Sequence, residues 1–134
     1  MAKKQNYTQA KGRRKTSSAR VRLFKGKGAS MVNDKPVEVY FSGSIKEALW
    51  QRPFKLTETL GKYYVTVKVS GGGQKSQLES FVHGVSRVLA TENKDKFRPI
   101  LKKAGLLTRD YRFRLRRMVG MGGKSRRQRQ SPRR

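Results

Sequence analysis

Positive charge is concentrated at the two ends of this chain, and that distribution constrains it more than any motif does. Residues 1–28 carry ten basic side chains and no acidic one. Residues 109–134 carry eleven basic side chains and one acid, Asp110. The 80 residues between them hold 13 basic and 7 acidic groups, the balance of an ordinary, mildly basic globular domain. Like-charge blocks repel themselves, and such blocks are typically disordered until they meet a partner. With 34 Lys and Arg against 8 Asp and Glu, the chain is +26 and calls for a dense polyanion. Nucleic acid fits best, because each neutralised phosphate releases condensed counterions. An acidic membrane surface is the weaker alternative. No segment approaches the ~18 apolar residues of a membrane span, and the basic tail has no apolar face.

Only 34% of the residues are apolar, so the core is small for 134 residues and part of the chain lies outside it. There is no cysteine, which excludes disulfides, thiolate zinc sites and a cysteine nucleophile and fits a reducing compartment. Met1 to Tyr7 has no apolar run after its lysines and does not read as a signal or transit peptide. After Met121 no apolar residue occurs, which predicts an extended basic tail, flexible in isolation. The expected division is a globular domain over residues 1–112, with its basic N-terminal segment, and a tail over 113–134.

Within the domain, Ala19, Val21 and Leu23 alternate with Arg20 and Arg22, the period of a strand with one buried face. Gly26-Lys27-Gly28 reads as a turn, residues 29–32 as a short returning strand, and Asn33-Asp34 as the break after it. Pro36 opens a helical turn toward Tyr40-Phe41. Ser44 and Glu47 have the spacing of a capping box, and a helix over 45–51 should stop before Pro53. Residues 63–69 form the clearest strand. Leu78, Phe81, Val82, Val85 and Leu89 mark one face of a long helix over about 74–90. A last helix over 95–104 should end at Gly105. The pattern predicts an α+β layered domain, a mostly antiparallel sheet with helices on one face.

Catalytic readings fail one by one. Gly71-Gly72-Gly73-Gln74-Lys75-Ser76 follows a strand and opens a helix, as a phosphate-binding loop would. Yet a nucleotide-binding P-loop needs glycines where Val69 and Gln74 stand. The glycines then serve a tight turn with close strand–helix packing, or bring the backbone near an RNA phosphate; the two are compatible. His83 is the only histidine, and with Glu79 one turn earlier it reads as a solvated or RNA-facing pair. The acidic residues have no metal-ligand or paired-carboxylate spacing. No cofactor, metal or small-molecule substrate is expected. Asp110, among Arg109, Arg112 and Arg114, should orient an arginine toward phosphate. Gly84 sits mid-helix at a cost of about 1 kcal/mol relative to alanine, offset by close packing on the sheet or by close approach of RNA.

The RNA-binding candidates are Lys11, Arg13, Arg14, Lys15 and Arg20 near the N-terminus, and Lys75 and Arg87 on the long helix. Arg109, Arg112, Arg114, Arg116 and Arg117 at the root of the tail, and Lys124, Arg126, Arg127 and Arg129 further along, complete the set. From residue 109 onward ten of eleven cations are arginine, whose planar fork binds phosphate bidentately and stacks on bases.

Three ordered groups of residues carry a resemblance. The first is Gly12-Arg13-Arg14-Lys15, Ala19-Arg20-Val21, Gly26, Gly28, Val32-Asn33 and Tyr40-Phe41. The second is Gly71-Gly72-Gly73, Ser76-Gln77, Ser80, Gly84, Ser86-Arg87 and Leu89. The third is Leu106-Leu107-Thr108-Arg109-Asp110 with Arg112. Over essentially its whole length the chain resembles the family of small ribosomal subunit protein nine, bacterial type. The resemblance implies a split β-α-β fold on the head of the small subunit and a ribosome-bound, cytoplasmic location. Small-subunit ribosomal RNA and neighbouring small-subunit proteins are the implied partners. It also implies a tail threading toward the decoding centre, whose terminal basic residue approaches the anticodon stem-loop of the peptidyl-site tRNA. That role falls on Arg134, with Arg133 beside it. Two departures stand out. Leu115-Arg116-Arg117-Met118 occupies the place of the family's usual Glu-Arg-Lys-Lys. The ending Gln130-Ser131-Pro132-Arg133-Arg134 lacks the usual phenylalanine.

Rival readings are weaker. The protein subunit of a tRNA-processing ribonucleoprotein enzyme shares the size, charge and fold, but its Arg-Asn-Arg helical run is absent. A histone-like DNA-compacting protein would bind any duplex without preference for structured RNA.

Overall fold

The structure is a computed structural model and describes residues 6–117 and 119. The tail cations Lys124, Arg126, Arg127, Arg129, Arg133 and Arg134, and the extended-tail expectation for the final residues, lie outside the described residues.

A mostly antiparallel sheet forms the base of the molecule, with strands β1 (Thr8–Arg14), β2 (Ser17–Lys25), β3 (Met31–Val32), β4 (Lys35–Pro36) and β5 (Tyr63–Ser70). Their spatial order is β1-β2-β5-β3-β4. β2 runs antiparallel to β1 and to β5, with Val21 opposite Ala10 on one side and Val67 on the other. Helices α1 (Val37–Tyr40), α2 (Ser44–Leu56), α3 (Gln74–Glu92) and α4 (Phe97–Lys103) complete the chain. α1 and α2 connect the parallel neighbours β3 and β5. This is the split β-α-β arrangement, with the helices on one face.

The core follows from the period-two pattern of the central strands. Ala19, Val21, Leu23, Val65, Val67 and Val69 project from one face and are all buried. Leu78, Phe81, Val85, Val88 and Leu89 of α3 cover them. α3 is more enclosed than an amphipathic stripe predicts. Val82 is only half-buried, whereas Ser80, Gly84 and Ser86 are buried, because the sheet packs on one side and α2 and α4 on the other.

Where α3 crosses β1, the approach is set by two glycines. A Cβ at Gly12 would lie 2.0 Å from the Ser80 carbonyl oxygen, and one at Gly84 would lie 2.6 Å from a Val21 methyl. Packing on the sheet therefore accounts for the mid-helix glycine. Gly71 and Gly72 both take left-handed backbone, φ +77° and +63°, and pack on Thr16 and Ser17. They make the tight turn before α3.

Four local expectations are corrected. Residues 8–14, within the basic N-terminal block expected to be disordered without a partner, form the edge strand β1, because Thr8, Ala10 and Gly12 are small enough for α3 to lie close on them. The short strand after Gly28 does not return against β2; it pairs parallel with β5. Asn33 and Asp34 make the turn into β4 with φ +46° and +65°. The Asn33 side-chain amide then continues the ladder, donating to Val69 O and accepting from Val69 N at 2.9 Å each. Ser44 is not a cap. Gly43 precedes the helix with no side-chain cap bond, and Glu47 instead accepts from Gln51. Finally, α2 runs through Pro53 to Leu56. A proline there costs about 3 kcal/mol, which burial of Trp50, Pro53 and Phe54 on the core side of α2 offsets. Gly105 does end α4, in a Schellman motif: Leu106 N–H donates to Leu101 O and Gly105 N–H to Lys102 O.

Candidate nucleic-acid interface

The helix-free face of the sheet follows from the same alternation that built the core. Lys11, Arg20 and Lys68 stand opposite one another on β1, β2 and β5, and all three are exposed. Like charges directly opposite on adjacent strands destabilise a sheet. Arg22 lies two residues along the same face. This row has no acid in it, so a bound polyanion is its natural counter-charge.

One end of this face carries aromatic rings. Phe24 and Tyr64, cross-strand partners, stack at 5.1 Å, and Tyr7 lies against Phe24 at 5.5 Å with the Arg22 guanidinium 5.2 Å over its ring. The other side of Tyr64 is closed by Gly28, where a Cβ would meet the ring at 2.8 Å. These rings are occupied by one another and tie the N-terminal segment to the sheet. Below them Glu92 accepts from Lys25 and Thr8, bonds that hold its carboxyl below the ordinary range.

The second cationic region is a cleft of about 450 Å³ between β1, α3 and the segment after α4. Arg13, Arg14, Lys75 and Arg112 line it, over an apolar floor that includes Leu78, Val82 and Leu106. Arg13 and Lys75 are exposed, and Lys75 sits in the first turn of α3. Arg14 is different. Its side chain is 15% exposed, its Nε meets Glu79 at 2.6 Å, a terminal nitrogen meets Asp110 at 3.2 Å, and the other donates to Arg112 O at 2.6 Å. Asp110 in turn accepts from the Arg112 side chain at 3.0 and 2.9 Å and from its backbone N–H at 3.1 Å. These Arg112 bonds, with the Arg14 charge, hold the Asp110 carboxyl far below the usual carboxylate range. The Arg14–Glu79–Asp110–Arg112 cluster fastens the segment after α4 to β1 and α3. It also leaves the Arg112 side chain 80% exposed, so Asp110 orients an arginine in the open, as its neighbours in sequence suggested.

His83 is not the solvated pair that its spacing from Glu79 suggested. It is 9% exposed, its Nδ1 accepts from Arg13 N–H at 3.2 Å, and Glu79 is engaged by Arg14. Burial first, and then the Arg87 charge, lower its pKa from the ordinary value. A histidine held neutral in the fold binds a proton more readily when unfolded. Its stabilisation is complete above the unfolded value of about 6.5 and is lost as pH falls from there toward the folded value. The slope is at most about 1.4 kcal/mol per pH unit. Thermal unfolding midpoints should fall between pH 7.5 and 5.5, and less so in His83→Gln, which keeps an acceptor for Arg13. Equal slopes in both proteins would remove His83 as the cause.

The remaining candidates are dispersed. Lys15 sits exposed at the tip of the β1–β2 hairpin in left-handed backbone, φ +53°. Arg87 donates to Lys11 O at 2.6 Å, tying α3 to the edge strand. Arg109, Arg114 and Arg116 are exposed, and Arg117 is half-buried. The structure also brings forward residues that charge counting passed over. Arg22 and Lys68 share the sheet face. Tyr111, Phe113 and Leu115, exposed between the tail-root arginines, had only their alternation with arginine as a signal. Among the described residues no group of three His, Asp or Glu is placed to hold a metal, and no helix is long and apolar enough to cross a membrane.

The ribosomal protein S9/S16 family matches residues 12–134. The small ribosomal subunit protein uS9 of Maridesulfovibrio salexigens is 47% identical over 123 residues, 92% of each chain. That of Solidesulfovibrio magneticus is 45% identical over 112 residues, 84% of this chain and 85% of the relative. With a family match over residues 12–134 and a relative of that identity across nearly its full length, the chain belongs to the ribosomal protein S9/S16 family.

Proposed function

We propose that the chain is a structural constituent of the small ribosomal subunit, ribosome-bound in the cytoplasm, that binds and scaffolds ribosomal RNA in the head. Its tail reaches toward the peptidyl-site tRNA. The role is structural rather than catalytic. The observation that carries the RNA reading is the acid-free row of Lys11, Arg20 and Lys68 across three strands, continuous with a chain of net charge +26. The sheet face and the cleft meet phosphates, which position the protein by RNA shape rather than sequence. Arg14, enclosed by two carboxylates, aims the tail instead of meeting phosphate itself. Neighbouring small-subunit proteins are further partners.

The tRNA contact falls on Arg133 and Arg134. Each adds at most a charge-assisted bond of about 1.5–3 kcal/mol. Small subunits reconstituted with a chain ending at Ser131 should assemble normally and release peptidyl-site tRNA faster. The increase should be similar for different tRNAs, because phosphate contacts carry no sequence information. Unchanged dissociation from normally assembled subunits would mean that these arginines do not touch tRNA.

A further inference from the structure

Beyond the Asp110 anchor the chain changes character. Residues 111–117 adopt neither helix nor strand, and Tyr111, Phe113 and Leu115 are 79%, 65% and 76% exposed. They alternate in sequence with Arg112, Arg114 and Arg116, and no acid follows Asp110. The domain offers these rings nothing. Its core is closed on this side by Leu106 and Leu107, and the aromatic pairs of the described residues do not include Tyr111 or Phe113. Tyr7, Phe24 and Tyr64 on the sheet have neighbours on their ring faces; Tyr111 and Phe113 stand open.

A partner that covers this segment must present flat apolar faces and negative charge at close intervals. An apolar protein groove would strip water from Arg114 and Arg116 with a carboxylate needed for each. An unpaired RNA strand supplies a base and a phosphate in every unit. We propose that Tyr111 and Phe113 stack on unpaired RNA bases while Arg114 and Arg116 engage the flanking phosphates. The inference rests on the reading of the chain as an RNA-binding protein and adds a site that reads single strands. The Asp110–Arg112–Arg14 cluster holds the start of the segment against the domain, so less freedom is lost when a strand binds.

The test uses the full chain and two ten-nucleotide RNA probes of equal charge, one of uridylate and one with every base removed. The intact chain should prefer the uridylate strand by roughly 5- to 150-fold per stacked base. In Tyr111→Ala/Phe113→Ala this preference should vanish, leaving affinity for uridylate at the level of the abasic strand. Both rings are exposed, so their loss removes no core contact. Tyr111→Phe, which keeps a ring, should retain the preference. If the intact chain binds both strands equally and with steep salt dependence, the RNA reading stands and the stacking site falls. If it binds neither, the RNA reading falls. If the double variant keeps the preference, the rings do not stack; and if its reconstituted subunits then lack a neighbouring protein, the segment's partner is protein.

Discussion

Replacing Gly12 by alanine should destabilise the domain by about 3 kcal/mol or more, the upper end of the overpacking range. The new Cβ would sit 2.0 Å from Ser80 O and 2.4 Å from Gly84 N. Both atoms are backbone, so no rotamer change relieves the contact. Either α3 moves off β1 or the edge strand detaches, and each outcome breaks the bonds from Arg13 N–H to His83 and from Arg87 to Lys11 O. Against a total stability of roughly 5–15 kcal/mol for a domain of this kind, that loss is severe. Gly73→Ala is the matched control: φ is −98° there and nothing lies within 4 Å of the added carbon. It should stay within about 0.5 kcal/mol of the parent. Urea unfolding midpoints measure both. A Gly12→Ala protein as stable as the Gly73→Ala control would mean that strand and helix can part freely, against the geometry described above.

RNA affinity should fall roughly 10³- to 10⁵-fold between 50 and 200 mM salt if about 6–10 phosphates are neutralised. On the proposed reading, the cations without a carboxylate partner in the protein carry the slope. Arg14 is enclosed by Glu79 and Asp110, and its charge is largely answered within the protein. Lys11, Arg20 and Lys68 have no such partner on the sheet face. Changing all three to glutamine should therefore lower the logarithmic salt slope by about 2–3, near one per phosphate contact released. Titration against a small-subunit RNA fragment at several salt concentrations gives the slope. A flat slope in the parent would mean that charge does not drive binding; an unchanged slope in the triple variant would move the contact off the sheet face.

The elements that the sequence made readable are those whose residues repeat with a clean period. β2 and β5 alternate aliphatic and polar residues, and α3 carries Leu78, Phe81, Val85 and Leu89 on one side. β1 was hidden because its inward residues, Thr8, Ala10 and Gly12, are too small to register as a hydrophobic stripe. Their smallness is the structural point, since it lets α3 lie close. Pro53 misled in the opposite direction: its local preference to end a helix was overruled by burial, which only the tertiary structure reveals. The site divides the same way. Net charge and its placement at the ends were legible in composition. Which arginines are engaged within the protein was not, because Arg14 is 65 residues from Glu79 and meets Asp110 only after α4 has turned the chain back. His83 could not be read as buried from its own helix, since part of its cover comes from the segment after α4, whose Gly105, Leu106 and Thr108 line the same cleft.

The placement of β2 between β1 and β5 has a consequence for the order of events during synthesis. The first 25 residues contain both strands of the N-terminal hairpin, but their other partners arrive late: β5 at residues 63–70 and α3 at 74–92. At a synthesis rate of about 5–20 residues per second, roughly 3–13 s separate the appearance of the hairpin from that of the helix that covers it. Through that interval a strongly cationic, uncovered hairpin is attached to a machine built of RNA. Folding of the N-terminal third thus competes with nonspecific capture by phosphate. Slowed elongation between β2 and α3 should therefore raise the fraction of chains captured before they fold.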